Sequence, residues 1–272
     1  KRTGFGSSSY PAVRIYGQSP YQVAVLHGGP GAPGYMAPVA RELSKAMGVI
    51  EPLQSKDSLR GQIQELAEQM KIYADEPIML IGSSWGAVLA LFTAARKSPD
   101  FSKLILIGSA VFDKQSSERI EKIRMDRLTD EQKIRFEKIK LKMANANSSE
   151  MDELVKQWGE VFDGTDNYDP IPAESDVIEI QYDLFEKVWS DFVALRDEPG
   201  RLKNEFSRID IPVTVIHGDY DPHPIEGIRP FLQSCIKDIR FHVLPNCGHY
   251  PWNERQARDE FYEILRSEVD IS

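Results

Sequence analysis

Over its first 110 residues the chain alternates short, wholly apolar runs with longer ones in which apolar residues recur every three or four positions. The runs at 22–26, 78–81 and 104–107 predict buried strands, another strand ends near Ile50, and 36–47, 58–73 and 87–97 predict helices. Strands that are apolar without alternation are covered on both faces, so this cadence predicts an α/β fold: a mostly parallel central sheet with helices on both sides. From about Val111 to Arg208 the strand signal stops, and apolar residues sit at helical spacing in a highly charged sequence. Strand character returns at 211–217 and 241–244, followed by an amphipathic helix from about 253 to 268. The expected organisation is a core of residues 1–110 and 209–272, interrupted by a helical cap at 111–208.

At 272 residues the chain is long enough to bury a large core without cross-links, so Cys235 and Cys247 are expected to be reduced thiols. Acidic residues outnumber Lys and Arg by 42 to 33, a formal charge of -9 that repels polyphosphate and argues against a nucleic-acid partner. No apolar run approaches the ~20 residues that cross a bilayer. The opening KRTGFGSSSY has no hydrophobic signal segment, although the chain starts without methionine. A soluble, cytoplasmic protein acting on a small molecule or short peptide is the expectation, with its oligomeric state left open. Charge is uneven inside the insertion: residues 113–142 carry ten Lys and Arg against seven acids, whereas 150–191 carry two against thirteen. A solvated helical face explains the acidic half; a surface that attracts a cationic substrate group is the functional alternative.

Residues 78–87 read as a strand, then Gly82-Ser83-Ser84-Trp85-Gly86, then a helix rich in Ala and Leu. A serine on a sharp strand-to-helix turn needs small residues two positions to either side, which singles out Ser84 as a nucleophile rather than Ser83. A plain Gly/Ser turn is the competing reading. Upstream, an apolar strand runs into His27-Gly28-Gly29-Pro30-Gly31, where glycines let backbone N–H groups approach a developing oxyanion. Gly29 and Trp85, with Gly28 assisting, are the candidate oxyanion donors, and His27 braces the loop.

A serine needs a base, and His249, in the loop after the strand at 241–244, is the candidate, with His223 in reserve. His217 and His242 fall on strands and read as structural. The base needs a carboxylate, and Asp221 lies further out on its loop than Asp219, which suits bonding to local backbone. The chain order Ser84, Asp221, His249 is that of hydrolases built on a nucleophile elbow. The alternation His217, Asp219, Asp221, His223 also admits a metal-ligand reading, but Gly218 and Pro222 turn the chain there; neither metal nor cofactor is expected.

On these motifs the sequence resembles the α/β-hydrolase superfamily over nearly its whole length. His27-Gly28-Gly29-Pro30-Gly31 and Ser84-Trp85-Gly86 resemble, more narrowly, the H-G-G-P-G loop and G-G-S-W-G elbow of the proline iminopeptidase family. The resemblance implies an α/β-hydrolase fold with a cap, an acyl-enzyme, and removal of an N-terminal residue, often proline. It also implies that acids of the cap hold the substrate's free amine. Where that family generally carries an acid followed by Gln-Arg-Gly, this chain has Glu51-Pro52-Leu53-Gln54-Ser55. Other proteins with the same loop act on esters or amides.

Overall fold

The computed structural model describes residues 12–178 and 181–270, so the opening segment KRTGFGSSSY and Glu179 of the acidic stretch lie outside the described residues. Among those residues a seven-stranded sheet runs in the order β1 (Val13–Tyr16), β3 (Val49–Pro52), β2 (Val23–Leu26), β4 (Ile78–Ser83), β5 (Phe101–Ile107), β6 (Val213–Gly218), β7 (Ile239–Leu244). Only the edge pair β1–β3 is antiparallel among the described strands. The wholly apolar strands are explained by burial on both faces. Ala24, Leu26, Leu80, Leu104 and Leu106 point into one cluster, while Val23, Val25, Ile81, Ile105 and Ile107 point into the other.

The first face is covered by α2 (Leu59–Tyr73), α3 (Trp85–Ala94) and α9 (Arg229–Cys235). The second is covered by α1 (Ala37–Leu43) and α10 (Arg258–Glu268). Every residue of α3 is buried, so this helix is apolar all round instead of amphipathic. Because β2 lies between β3 and β4, the connections after β2 leave in opposite directions at the carboxyl ends of the strands. That crevice is where open α/β sheets place ligands.

Among the described residues five helices separate β5 from β6: α4 (Lys114–Arg127), α5 (Asp130–Met143), α6 (Ser148–Asp166), α7 (Tyr182–Asp197) and α8 (Arg201–Phe206). They pack in two ways. Leu128, Phe136, Ile139, Leu154, Val161 and Phe162 of α4–α6 and their connections make a small core of their own. Leu184, Val188 and Phe192 of α7, with Leu202 and Phe206 of α8, join the cluster on the sheet. Cys235 and Cys247 are free and buried, and burial pushes both thiols up, helped at Cys247 by the nearby carboxylates of Glu254 and Asp221. Thiolate is the reactive form, so Ellman's reagent is expected to release colour only after denaturant is added. Rapid release from the native protein would show an accessible thiolate instead.

Candidate active site

Ser84 stands between β4 and α3 with φ 53° and ψ −113°, a strained conformation for a side-chain-bearing residue. The two flanking glycines make the turn feasible. A Cβ on Gly82 would lie 2.2 Å from the Gly86 carbonyl oxygen, and one on Gly86 would lie 2.3 Å from that of Leu26. The first turn of α3 is thereby pressed against the end of β2, which carries the glycine loop to the same place. Gly28 faces Ser84 so closely that a Cβ there would sit 3.4 Å from the serine Cβ. The N–H groups of Gly28, Gly29 and Trp85 make no hydrogen bond among the described residues. Ser84 thus stands at a helix N-terminus, where the dipole favours negative charge, with the glycine loop beside it.

His27 lies behind this loop. Its Nδ1–H donates to the Gly28 carbonyl at 2.7 Å, and its Nε2 accepts from the Gln54 N–H at 3.1 Å. Both nitrogens are used by the neutral ring, and burial lowers its pKa to about 4 despite the Gly28 bond. The ring holds the loop and has no lone pair to offer a proton. Trp85 turns its indole away from the cleft, donating from Nε1 to Gln62 Oε1 at 2.8 Å.

Asp221 and His249, on the loops after β6 and β7, meet beside Gly108, the residue after β5. His249 Nδ1 is 2.7 Å from Asp221 Oδ2, and both residues are buried. Since a carboxylate can only accept, Nδ1 carries the proton and Nε2 of the neutral ring carries the lone pair. The junction with Ser84 is made by β5. The Ser84 N–H donates to the Ile107 carbonyl at 2.9 Å. A Cβ on the next residue, Gly108, would lie 3.1 Å from His249 Nδ1 and 3.2 Å from Asp221 Oδ2. Ser84 Oγ and His249 Nε2 form no hydrogen bond, with each other or with other described residues. Such bonds are often long until a substrate is in place.

Burial alone would push Asp221 up, but the imidazoles of His249, His223 and His217 outweigh it and hold the carboxyl well below its usual range. For His249, burial pushes down and the Asp221 carboxylate more than compensates, so the ring's pKa is raised. Asp219 turns elsewhere, accepting from the Cys247 N–H at 3.3 Å. His242, within β7, approaches Glu268 at 3.8 Å. Asp221, His223 and His249 bring donor atoms within 4.8 Å of one another. Both Nδ1 atoms are already engaged by the Asp221 carboxylate, which accounts for the closeness.

Several supports have no local signature in the sequence. Glu254 is buried, and its carboxylate accepts the N–H groups of Gly248, Tyr168 and Asp169, each at 2.7 Å. The His249 N–H donates to the Asp166 carbonyl at 2.7 Å. Asp166 is itself gripped at both oxygens by Arg124, with Nε to Oδ1 at 2.7 Å. Arg127 donates to the carbonyls of Thr165 and Tyr220 and lies over the Tyr220 ring. The end of α6 is thus fastened to the loops that hold Asp221 and His249. The following segment crosses the glycine loop, with Ile178 N–H to Pro33 O at 2.9 Å and Arg41 to Asp176 at 2.7 and 2.9 Å.

The model of the alpha/beta hydrolase family matches residues 23–264. This chain belongs to the alpha/beta hydrolase family. Similar solved structures include VinJ, with a TM-score of 0.70 and 18% identity over 95% of this chain and 94% of that one. An esterase from Exiguobacterium antarcticum gives 0.64 and 20%, over 95% and 94%. A proline iminopeptidase from Mycobacterium smegmatis gives 0.61 and 19%, over 95% and 93%. These likenesses establish the α/β-hydrolase fold. Among the described residues no helix is long and apolar enough to cross a membrane.

Proposed function

We propose that the chain is a serine hydrolase that cleaves a small ester or amide through an acyl-enzyme. Ser84 attacks the carbonyl, His249 takes its proton, and Asp221 holds the ring in the required tautomer and stabilises the imidazolium. The N–H groups of Gly29 and Trp85, with Gly28, receive the oxyanion. His249 then protonates the leaving group, and water attacks the acyl-enzyme by the same route. The observation that carries this reading is the pairing of Asp221 Oδ2 with His249 Nδ1 at 2.7 Å, one residue from the carbonyl that holds the Ser84 amide. Helices α4–α6 act as the cap over this site.

The substrate side of the reading is that a free amine is not required. Within the acidic stretch, Asp166 is the acid whose charge acts on His249, and both its oxygens are committed to Arg124. Glu160 pairs with Arg135, Asp176 with Arg41, and Asp191 accepts the Leu59 N–H. These four acids are bound to cations or backbone, so none of them supports recognition of an ammonium group. The kcat/KM for a short-chain aryl ester is expected to exceed that for a prolyl arylamide by about tenfold or more, since the ratio reports differential transition-state binding. A ratio inverted in favour of the arylamide would restore the iminopeptidase reading.

A further inference from the structure

Asp221 holds two imidazoles, not one. His249 takes Oδ2, while His223 places its Nδ1 2.8 Å and its backbone N 2.9 Å from Oδ1. The two rings are stacked, with centroids 4.5 Å apart and planes 23° from parallel. His223 is fixed from behind as well, because His217 Nε2–H donates to its carbonyl at 2.8 Å. The proline on either side, Pro222 and Pro224, restricts the backbone of this turn. We propose that His223 is a positioning residue that shares the Asp221 carboxylate with His249 and so limits how tightly that carboxylate holds the base. The proposal rests on the serine-hydrolase reading given above.

The physical reason is competition for one charge. A carboxylate offers about four lone-pair sites on two oxygens, and its negative charge is divided among the donors that use them. Two N–H groups on Oδ1 fix the carboxylate plane and draw charge away from Oδ2, where the imidazolium of His249 must be stabilised. Asp221 and Arg124 act on both rings, and Asp166 on His249. Asp221 faces them from the loop after β6, where His217 Nδ1 also lies 3.8 Å from Oδ2, Asp166 faces His249 from the end of α6, and Arg124 lies on α4, while the Tyr250 ring packs on His249. In this setting the two rings diverge. Burial lowers His223 more than Asp221 raises it, whereas His249 is raised by the same carboxylate. His223 therefore stays a neutral donor while His249 gains and loses the proton, and a base held too tightly would remain protonated at neutral pH.

The test follows His249 by NMR of histidine-labelled full-length chain, alongside the pH profile of kcat/KM for the aryl ester. His223→Phe keeps a flat ring without the donor, and His223→Ala removes both, covering the case in which phenylalanine does not fit. In either, the His249 titration is expected to rise by about one pH unit. The acid limb moves to higher pH with it, and on the acid side of that limb kcat/KM falls by up to about tenfold, because a smaller share of the base is neutral. His223→Asn, whose amide N takes the place of Nδ1, is expected to return the limb to its native position. An unchanged His249 titration in folded donor-free variants would overturn the proposal, as would an asparagine variant that shifts as far as they do. If the titration moves as expected but the native chain never reacts with a fluorophosphonate, the positioning role stands and the hydrolase reading falls.

Discussion

Ser84→Ala is expected to abolish labelling by a fluorophosphonate probe and to lower kcat/KM on the aryl ester by about 10⁴-fold or more, the scale on which nucleophile removal acts in serine hydrolases. The fold should be unaffected, since Ser84 Oγ makes no hydrogen bond among the described residues and alanine occupies the same turn. The adjacent serine supplies the control. Ser83 closes β4, is fully buried, and its Oγ has no partner among the described residues. Removing an unsatisfied buried hydroxyl is close to neutral or stabilising, so Ser83→Ala should label as the native chain does. Labelling that survives in Ser84→Ala, or disappears in a folded Ser83→Ala, would remove Ser84 from the mechanism. The native pH profile carries a sign as well. The base must be neutral, and His249 is raised above the ordinary imidazole value, so activity should fall as pH drops through a limb above about 6.5.

Local chemistry accounts for what could be read in advance. The apolar runs at 22–26, 78–81 and 104–107 correspond to β2, β4 and β5, because strands covered on both faces admit only apolar side chains. The elbow was visible because its glycines answer to contacts below 2.5 Å that no other residue survives. Boundaries were less legible. Helix α3 begins at Trp85, before the expected 87, since the elbow serine itself serves as its N-cap residue. Helix α10 starts at Arg258, not near 253, because residues 251–253 form a separate tight turn and Glu254 is turned inward to long-range backbone partners. The edge strand β1, with Arg14 between Val13 and Ile15, has no apolar run to mark it.

The site divides in the same way. Motif spacing points to Ser84, the glycine loop and the loop of Asp221, each of which depends on neighbours a few residues away. The acidic stretch at 150–191 gave a net charge but not its use, since Asp166 meets Arg124 across 42 residues and Asp176 meets Arg41 across 135. Charge totals say nothing of such pairing. The doubling of imidazoles on Asp221 was likewise hidden, although His223 stood among the candidate bases.

Glu254→Ala is expected to cost about 3–5 kcal/mol, the range for leaving buried polar groups unpaired by removing their charged partner. One carboxylate serves three backbone donors from two distant segments, Gly248 on one side and Tyr168 with Asp169 on the other. Alanine leaves all three N–H groups in a site where Glu254 itself is fully buried. Against a total stability of roughly 5–15 kcal/mol this is a large fraction, and in a chain of this size it corresponds to a melting temperature lower by about 10 °C. Glutamine separates geometry from charge. Its oxygen, placed at Oε1, still accepts from Gly248 and Tyr168, while its amide meets only the Asp169 N–H, so Glu254→Gln should lose about 1–3 kcal/mol. The loss should reach catalysis too. Gly248 precedes His249, whose own N–H hangs from the Asp166 carbonyl, so loosening this clamp frees the base from the end of α6. Below their melting points, both variants should therefore show a lower kcat in proportion to these stability losses, with labelling of Ser84 retained but slowed. Thermal unfolding by circular dichroism with ester turnover at 25 °C decides it: an alanine variant melting within about 2 °C of the native chain would show that Glu254 does not clamp these loops.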